Sequence, residues 1–533
     1  MGATLFVLLI ACANVANLLM ARATMRVKEA AVRTAMGASG WRVVLPFFSE
    51  AVILSTVGAV LGIGLAFYGV ALFSEAVADV GKPYYMIFAV DLPILMFVLG
   101  VTVMSALASG AAPALHVART NVNSVLKDES RGSSGLHSSR LSRLLVLGQV
   151  ALSCALLVAS GLMIKSVVRL TEYEYPFATT DVFTARIGLF ETDYPTREER
   201  QAFFQELQDR LAQLPGARSA AIASPLPGLG GGESLFTVEG GNYTTDSEVP
   251  RAAHHIASPD YFATLGTEVI RGRDFSRLDT YESDLVVIVN QLFADEYFPG
   301  EDPLGRRIRL GGVDSEGGYR TIIGIAPNLR MEGFGPSQGT GRGFYSSFTQ
   351  LNGGFMNLIV RSARNDVTGM TQEVRDIVRG IDPDLPIFDV GSLRARIDQE
   401  NWFYTVFGAV FMIFGAAALF MASVGLYGVL SFSVSRRIQE MGIRMALGAA
   451  SGDVLKIVLN QGMKQIALGL GIGLVMAFGL TGFVGFIMFD VNPRDPTVFG
   501  GISVLILLVG IVASVVPAAK ATRVDPVVAL RAR

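Results

Sequence analysis

Long apolar runs separated by short polar segments dominate the hydrophobic pattern of this chain. Seven of these runs contain roughly 20 or more residues, which is the length that a helix needs to cross a bilayer. They lie near residues 2–21, 45–73, 93–115, 144–168, 403–430, 464–489 and 498–519. The pattern therefore predicts seven transmembrane helices.

Residues 169–402 differ, because polar and charged positions are interspersed with short apolar runs over a length sufficient for a separate core. Runs rich in β-branched and aromatic residues predict strands at 183–189, 285–290, 319–326 and 355–363. Amphipathic patterns that stop at glycine and proline predict helices at 197–216 and 372–383, and Asn290 is placed to cap a third helix. This segment is predicted to be an α+β domain.

Composition supports a membrane protein, and the distribution of charge predicts how the chain is oriented in the membrane. Hydrophobic residues make up 51% of the sequence and charged residues 17%, whereas soluble domains carry about 25% charged residues. Basic connecting segments stay on the cytoplasmic side of a membrane. Four segments are rich in lysine and arginine and two are not: the first group is 22–44, 117–143, 431–457 and the C-terminal tail, and the second is 74–92 and 490–497. This alternation predicts that 169–402 is outside and that the C-terminus is cytoplasmic.

A charged string occurs twice in the chain, each time just after an apolar run. EAAVRTAMGAS covers residues 29–39 and EMGIRMALGAA covers residues 440–450, at an offset of 411 positions. The residues that match at this offset are Arg26, Glu29, Arg33 and Gly37 in the first copy and Arg437, Glu440, Arg444 and Gly448 in the second. Because the segment 113–127 also resembles 517–531, the sequence contains an internal repeat. Both strings fall in basic segments, so the two copies have the same orientation in the membrane.

Each charged string has the features of a short helix that docks onto another protein. Glu29 precedes Arg33 by four residues, which is the favoured order for an ion pair on one helix face. Gly37 suits the left-handed end of a helix. The alternative is an amphipathic helix that lies on the membrane surface without a partner. Retention of the charged pair and the glycine in both copies favours docking, so the eight residues are predicted to form two coupling helices.

Two glycine pairs follow the same repeat, since Gly58 and Gly62 align with Gly469 and Gly473. Small residues at every fourth position permit close contact between membrane helices, so these four glycines are predicted to pack helices together. The predicted domains are a first three-helix module at 1–126, a cytoplasmic linker at 127–143, a helix at 144–168, the outer domain at 169–402 and a second three-helix module at 403–533. The first copy has no counterpart of the single helix and the outer domain, which predicts further sequence before Met1 in the full gene product.

The pattern Arg-x-x-Glu-x-(Gly/Ala)-(Ile/Val)-Arg-x-Ala-(Leu/Met)-Gly-Ala, with the closing segment 517–531, resembles the FtsX-type permease module of MacB-like ABC transporters. Residues 169–402 then resemble the MacB-like periplasmic core domain. Two modules on one chain are similar to the duplicated permeases of acidobacterial type. The first copy departs from the pattern at its end, where Asn121 and Val122 stand in place of Asp525 and Pro526.

This resemblance implies a multi-pass permease subunit of an ABC transporter in the bacterial inner membrane, with its core domain in the periplasm. The coupling helices would dock onto a separate MacB-type ATPase, in one or two copies, and a periplasmic adaptor is a further candidate partner. ATP and Mg²⁺ would bind to the ATPase. Such a permease works by mechanotransmission, in which ATP-driven motion reaches the periplasmic domain, and efflux or export is the expected activity. The alternatives are a lipoprotein-releasing permease and a non-transporting regulator of a periplasmic cell-wall hydrolase.

The sequence carries no recognisable signature of catalysis. It has no Gly-x-x-x-x-Gly-Lys-(Ser/Thr) phosphate loop, so ATP hydrolysis is expected in the partner, and this chain is expected to need no cofactor of its own and to bind no nucleic acid. His254 and His255 are adjacent and would face opposite sides of a strand, which argues against a shared metal ion. The chain is therefore predicted to have no catalytic and no metal-binding residues.

Overall fold

The computed structural model describes residues 2–25, 36, 40–76, 86–118, 136–333, 341–364, 367, 369–436, 450–484 and 488–522. The chain forms two compact units. One unit combines residues 1–171 with 404–533, and the other contains residues 172–403.

The first unit is built from long apolar helices. Within the described residues, seven helices are long and apolar enough to cross a membrane, and the seven predicted spans are confirmed. Numbered along the whole chain, they are α1 (Gly2–Met25), α2 (Gly40–Ala76), α3 (Leu92–Ala118), α4 (Leu136–Thr171), α10 (Trp402–Arg436), α11 (Ser451–Val484) and α12 (Pro496–Thr522).

Helix boundaries follow the internal repeat. Within the described residues, α1 extends to Met25 and α2 starts from Gly40, and at the offset of 411 positions α10 extends to Arg436 and α11 starts from Ser451. Helices α3 and α12 begin at Leu92 and Pro496, positions that differ by 404. The sequence repeat is therefore a repeat of three helices, α1–α3 and α10–α12.

Helix contacts follow the repeat as well. A Cβ atom added to Gly110 on α3 would lie 3.4 Å from the Cβ atom of Ala51 on α2. In the second set the equivalent positions are Ser514 and Gly462, and a Cβ atom added to Gly462 would lie 3.1 Å from Ser514 Oγ. The second and third helices of each set thus cross at equivalent positions. The glycine at this crossing is on the third helix in the first set and on the second helix in the second set.

Helix α4 has no counterpart in the first set and lies at the centre of the membrane core. Its buried residues Val150, Cys154 and Val158 pack in one cluster with Ile466 and Leu470 of α11. On another side its Leu156 packs with Ile10 of α1 and Ala418 of α10. Burial of these side chains explains why α4 is the most enclosed of the seven spans.

The second unit is a mixed α/β domain, as predicted. Its helices are α5 (Arg197–Ala212), α6 (Tyr261–Thr264), α7 (Gln291–Tyr297), α8 (Met370–Ile381) and α9 (Leu393–Glu400). Its strands are β1 (Val182–Gly188), β2 (Ala217–Ser224), β3 (Glu233–Val238), β4 (Arg251–Ala257), β5 (Arg271–Gly272), β6 (Val286–Asn290), β7 (Arg307–Leu310), β8 (Tyr319–Ala326), β9 (Gly343–Ser347), β10 (Phe355–Ser362) and β11 (Phe388–Ser392).

The strands of this unit pair in the order β11-β1-β10-β2-β4-β3-β7-β8-β6-β9, and β5 pairs with β8. Because β9 also pairs with β4, the six strands from β4 to β9 in this order close into a ring around Phe236, Val287 and Phe344. The remaining strands carry α5 and α8 on one face, with Phe204 and Val374 buried beneath them. The pairs β4–β9 and β6–β8 are parallel, so the sheet is mixed.

Local sequence explains where the helices of this unit begin. At the start of α5, Thr196 Oγ1 accepts a hydrogen bond from the backbone N–H of Glu199, whose carboxylate accepts one from the N–H of Thr196. This reciprocal pair is a capping box, which satisfies two amides that the helix leaves unpaired. At α7, the predicted cap is confirmed, since Asn290 Oδ1 accepts a hydrogen bond from the N–H of Phe293 at 2.9 Å.

Candidate coupling sites and the helix interfaces beside them

The predicted coupling residues lie outside the described residues, so they stay predictions. They are Arg26, Glu29, Arg33 and Gly37 in the first string and Arg437, Glu440, Arg444 and Gly448 in the second. The elements on either side of them are described: the first string joins α1 to α2, and the second joins α10 to α11. Both strings therefore connect equivalent helices of the repeat.

Gly469 and Gly473 lie where α11 crosses α4. A Cβ atom added to Gly469 would lie 2.8 Å from Val150 Cβ, and one added to Gly473 would lie 2.5 Å from Cys154 Cβ and 2.7 Å from the carbonyl oxygen of Ala151. Carbon atoms in ordinary contact are about 3.5–4.0 Å apart. Glycine at both positions is therefore what allows the two backbones to approach this closely.

Gly58 and Gly62 lie on α2, and their surroundings differ from those of their repeat counterparts. A Cβ atom added to either residue would have no described atom within 4 Å. Both positions are exposed. The structure thus brings the second glycine pair against α4 and leaves the first pair uncovered within the described part of the chain.

A cluster of amide side chains lies between α1, α4 and α10. The side-chain nitrogens of Asn14 and Gln149 both donate hydrogen bonds to the carbonyl oxygen of Met421, at 3.0 and 2.7 Å. Gly425 makes room for them, since an added Cβ atom would lie 2.2 Å from Asn14 Oδ1 and 2.4 Å from Gln149 Oε1. Asn14 and Gly425 are themselves equivalent positions of the repeat. The contact joins the two halves through polar groups inside the apolar unit.

Sequence reasoning missed this cluster, although a signal was present. Polar residues inside a transmembrane run are rare and face other helices, and Asn14 and Gln149 stand in the apolar runs of α1 and α4. The positions that they contact, the Met421 carbonyl and Gly425, carry no such signal.

An ion pair joins α4 to the start of α12. Lys165 donates hydrogen bonds to the carboxylate of Asp495 and, at 3.2 Å, to Thr497 Oγ1. The hydrogen bonds from Lys165 and Thr497 hold the pKa of Asp495 well below its usual range. Asp495 also caps α12 by accepting a hydrogen bond from the N–H of Thr497 at 2.8 Å. The pair fixes the outer end of α4 against the second set of helices.

The seven spans carry their charged residues near their ends: Glu50, Glu75, Arg143, Lys165, Arg169 and Lys464. Ion-coupled carriers usually place ionisable groups near the middle of the membrane. In the described spans, the charged residues thus lie toward the helix ends.

His254 and His255 lie on β4 and make separate contacts. His254 hydrogen bonds to Ser346 Oγ at 2.9 Å and stacks on Phe344, whereas His255 hydrogen bonds to the carbonyl oxygen of Met331 at 2.8 Å. Burial lowers the pKa of each imidazole to about 4. Both rings are thus neutral parts of the core at physiological pH.

Comparison with known protein families gives two matches. The family model described as "FtsX-like permease C-terminal" matches residues 1–122 and 412–526, and the model described as "MacB-like periplasmic core domain" matches residues 144–378. The first model thus matches both halves of the internal repeat. The second lies between them.

Curated relatives have similar domains. The macrolide export ATP-binding/permease protein MacB of Hahella chejuensis is 26% identical over 51% of this chain and 41% of its own length. The uncharacterized ABC transporter permease YknZ of Bacillus subtilis is 25% identical over 62% of this chain and 84% of its own length. The chain therefore spans less than half of the MacB protein and most of YknZ.

Two solved structures are similar to parts of this chain. The periplasmic region of MacB from Actinobacillus actinomycetemcomitans matches 39% of this chain and 89% of its own, with 16% identity and a TM-score of 0.28. The extracellular domain of YknZ matches 39% of this chain and 100% of its own, with 14% identity and a TM-score of 0.25. By the family matches, residues 1–122 and 412–526 are similar to FtsX-like permease modules, and residues 144–378 are similar to the MacB-like periplasmic core domain.

Proposed function

We propose that this chain is the permease subunit of an ABC transporter and works by mechanotransmission. A separate ATPase docks onto the two charged strings, and its ATP-driven motion passes through the transmembrane helices to the periplasmic domain. Efflux or export is the activity that this motion serves. ATP and Mg²⁺ bind to the ATPase, the C-terminus is cytoplasmic, and the core domain lies in the periplasm of a bacterial inner-membrane protein.

The observation that carries this proposal is the placement of the two strings. Each joins the first and second helix of one repeat, and the described parts of those helices correspond at a single offset of 411 positions. Motion of a rigid docked helix at either string would therefore act on equivalent helix pairs. The amide cluster at Asn14 and Gln149 joins α1 to α10, so displacement in one half reaches the other.

Helix α4 offers the route toward the periplasmic domain. It packs tightly on α11 at Gly469 and Gly473, and Lys165 ties its outer end to α12. The periplasmic domain begins directly after α4 and ends within the first turn of α10 in the sequence. Both of its connections are therefore continuations of membrane helices, which supports transmission of movement along the chain.

The proposal is tested by co-purification with a tagged MacB-type ATPase from the same genome. The variant Glu29→Lys/Glu440→Lys reverses the charge of one residue in each string and should abolish the complex. The matched control Glu282→Lys/Glu316→Lys makes the same charge change at two exposed positions of the periplasmic domain and should leave the complex intact. Full retention of the ATPase by the Glu29→Lys/Glu440→Lys variant would contradict docking.

The single variants measure how many ATPase copies bind. If each string takes one ATPase, Glu29→Lys and Glu440→Lys should each leave one bound copy, read from the mass of the intact complex. A wild-type complex with one ATPase per chain would contradict the two-copy arrangement while leaving docking itself in place.

A further inference from the structure

Arg320 of the periplasmic domain is a buried arginine without a counterion. It lies on β8, is 8% exposed, and stands two residues before Ile322, whose side chain is in the core of the ring. Because side chains two residues apart on a strand share a face, Arg320 faces the interior of the ring as well. Its Nε and Nη1 atoms are buried and have no hydrogen-bond partner among the described residues, and no described carboxylate forms an ion pair with it. Buried charges in proteins are normally paired or bound to a ligand.

Arg197, at the start of α5, provides a second guanidinium that forms no ion pair in the described chain. Its Nη2 donates a hydrogen bond to the carbonyl oxygen of Thr349 at 3.2 Å, and its guanidinium carbon lies 3.8 Å from the centre of the Tyr281 ring. Its Nε is buried and has no partner among the described atoms. A carbonyl and an aromatic ring carry no net charge, so the positive charge of Arg197 is not neutralised.

The two guanidiniums approach the same turn after β9. Gln350, which follows the Thr349 carbonyl, accepts through Oε1 a hydrogen bond from the N–H of Val286 at 2.9 Å. Val286 pairs with the residue that follows Arg320 on β8. Burial and, after it, the charge of Arg197 lower the pKa of Arg320, which is the direction that a nearby like charge produces. The two positive charges therefore act on each other directly.

The groups around this pair are positive, neutral or already paired. The charge of Arg320 also contributes to the lowered pKa of His254, so this neutral imidazole lies within electrostatic reach. Asp279 contacts the same turn, since its carbonyl oxygen accepts a hydrogen bond from Thr349 Oγ1, but its carboxylate is held by Arg273 at 2.7 and 2.8 Å. Within the described chain, the charges of the two arginines are thus left without a counterion.

We propose that Arg197 and Arg320 bind a tetrahedral oxyanion of the phosphate or sulfate type. An anion with two negative charges neutralises both guanidiniums, and the planar donors of arginine suit the oxygens of such a group. The anion joins β8 of the ring to α5 of the helix-bearing part of the sheet, and so holds these two parts of the periplasmic domain together. A free ion and a phosphate group on a larger molecule share this chemistry. The site goes beyond the ATPase docking proposed above and does not depend on it.

Equilibrium dialysis of the full chain in detergent against radiolabelled sulfate measures binding directly, with chloride keeping the ionic strength constant. The wild-type chain should bind a single sulfate ion saturably. Arg320→Met removes one charge and Arg197→Gln removes the other, so each should weaken binding by roughly 10- to 100-fold. The matched control is Arg271→Met on β5, which pairs with β8. Because Arg271 is exposed and already paired with Asp302, this variant should bind sulfate like the wild type.

Hydrogen exchange shows where the anion acts. Sulfate stabilises folded proteins in general, so the diagnostic result is local protection. Relative to chloride, sulfate should slow exchange in residues 319–326 and 346–351 of the wild type more than in the rest of the domain, and Arg320→Met should lack this local difference. In chloride, Arg320→Met should be at least as protected as the wild type, because the variant removes a buried unpaired charge. If Arg320→Met unfolds in chloride, Arg197→Gln provides the same comparison.

Competition identifies the source of the anion. Displacement of sulfate by glycerol 3-phosphate as well as by inorganic phosphate would assign the site to a phosphate group on a larger molecule, and displacement by inorganic phosphate alone would assign it to the free ion. Both results support the proposed site. Acetate that displaces sulfate as well as phosphate does would overturn the assignment to a doubly charged anion. No saturable binding to the wild type, or equal binding to the wild type, Arg320→Met and Arg197→Gln, would show an adventitious ion only and would overturn the proposal.

Discussion

Adding one methyl group at equivalent positions of the two helix sets should have opposite consequences. Gly473→Ala places a Cβ atom 2.5 Å from Cys154 Cβ and 2.7 Å from the Ala151 carbonyl oxygen. Carbon contacts of about 3.5–4.0 Å are normal, so α4 and α11 would have to move apart by roughly 1 Å. Overpacking of this kind costs about 1–3 kcal/mol. Gly62→Ala meets no described atom within 4 Å, and such a change usually alters stability by no more than about 0.5 kcal/mol.

The thiol of Cys154 gives a direct assay, because this residue is fully buried between α4 and α11. In a Cys12→Ala background, labelling of Cys154 by a membrane-permeant maleimide requires the interface to open. A loss of 1–3 kcal/mol at this interface corresponds to roughly 5- to 150-fold faster labelling. Gly473→Ala should show an increase in this range, and Gly62→Ala should label like the parent chain. Equal rates for the two variants would refute the placement of α4 against Gly473 of α11 and away from Gly62 of α2.

Two further predictions concern the amide cluster and the buried histidines. Gly425→Ala should lower the melting temperature in detergent, because its Cβ atom would displace the Asn14 and Gln149 amides at a cost of about 1–3 kcal/mol. Gly428→Ala is the control, because its Cβ atom would have no described atom within 4 Å. Equal changes in melting temperature for the two variants would contradict the amide cluster. Burial lowers the pKa of His254 and of His255 from 6.5 to about 4. Between these pH values the unfolded state therefore binds more protons than the folded state. The free energy of unfolding should be highest above about pH 6.5 and should fall by a few kcal/mol as the pH falls toward 4. Hydrogen exchange of β4, corrected for its intrinsic pH dependence, should show this loss, and His254→Gln/His255→Gln should flatten it; constant protection from pH 7.5 to 4.5 would contradict the prediction.

The membrane helices could be predicted because the signal that defines them is local. A run of apolar residues of the required length has few alternatives to a transmembrane helix. The repeat was also readable, since Glu29 and Glu440 lie in matching strings. What the sequence could not show is that only one of the two glycine pairs is covered, because this depends on where α4 lies rather than on Gly58 or Gly469.

In the periplasmic domain, local composition predicts some strands and misses others. The predicted strands correspond to β1, β6, β8 and β10, whose runs are rich in β-branched and aromatic residues. Strand β2 was missed because Ala217–Ser224 is mostly alanine and serine, which have little strand preference of their own. It is a strand because β10 and β4 pair with it on either side. Long-range pairing of this kind is invisible to a local window.

The coupling role of the two charged strings is predicted from their sequence and from the equivalent helices that they connect. Thr34→Cys and Met445→Cys are equivalent positions beside the charged pairs, and Lys127→Cys in the linker provides a control on the same predicted side of the membrane. In a Cys12→Ala/Cys154→Ala chain bound to the ATPase, the first two cysteines should crosslink to the ATPase and the third should not. Crosslinking of the ATPase at Lys127→Cys alone, with both strings unreactive in an intact complex, would contradict the claim that these strings couple the permease to ATP hydrolysis.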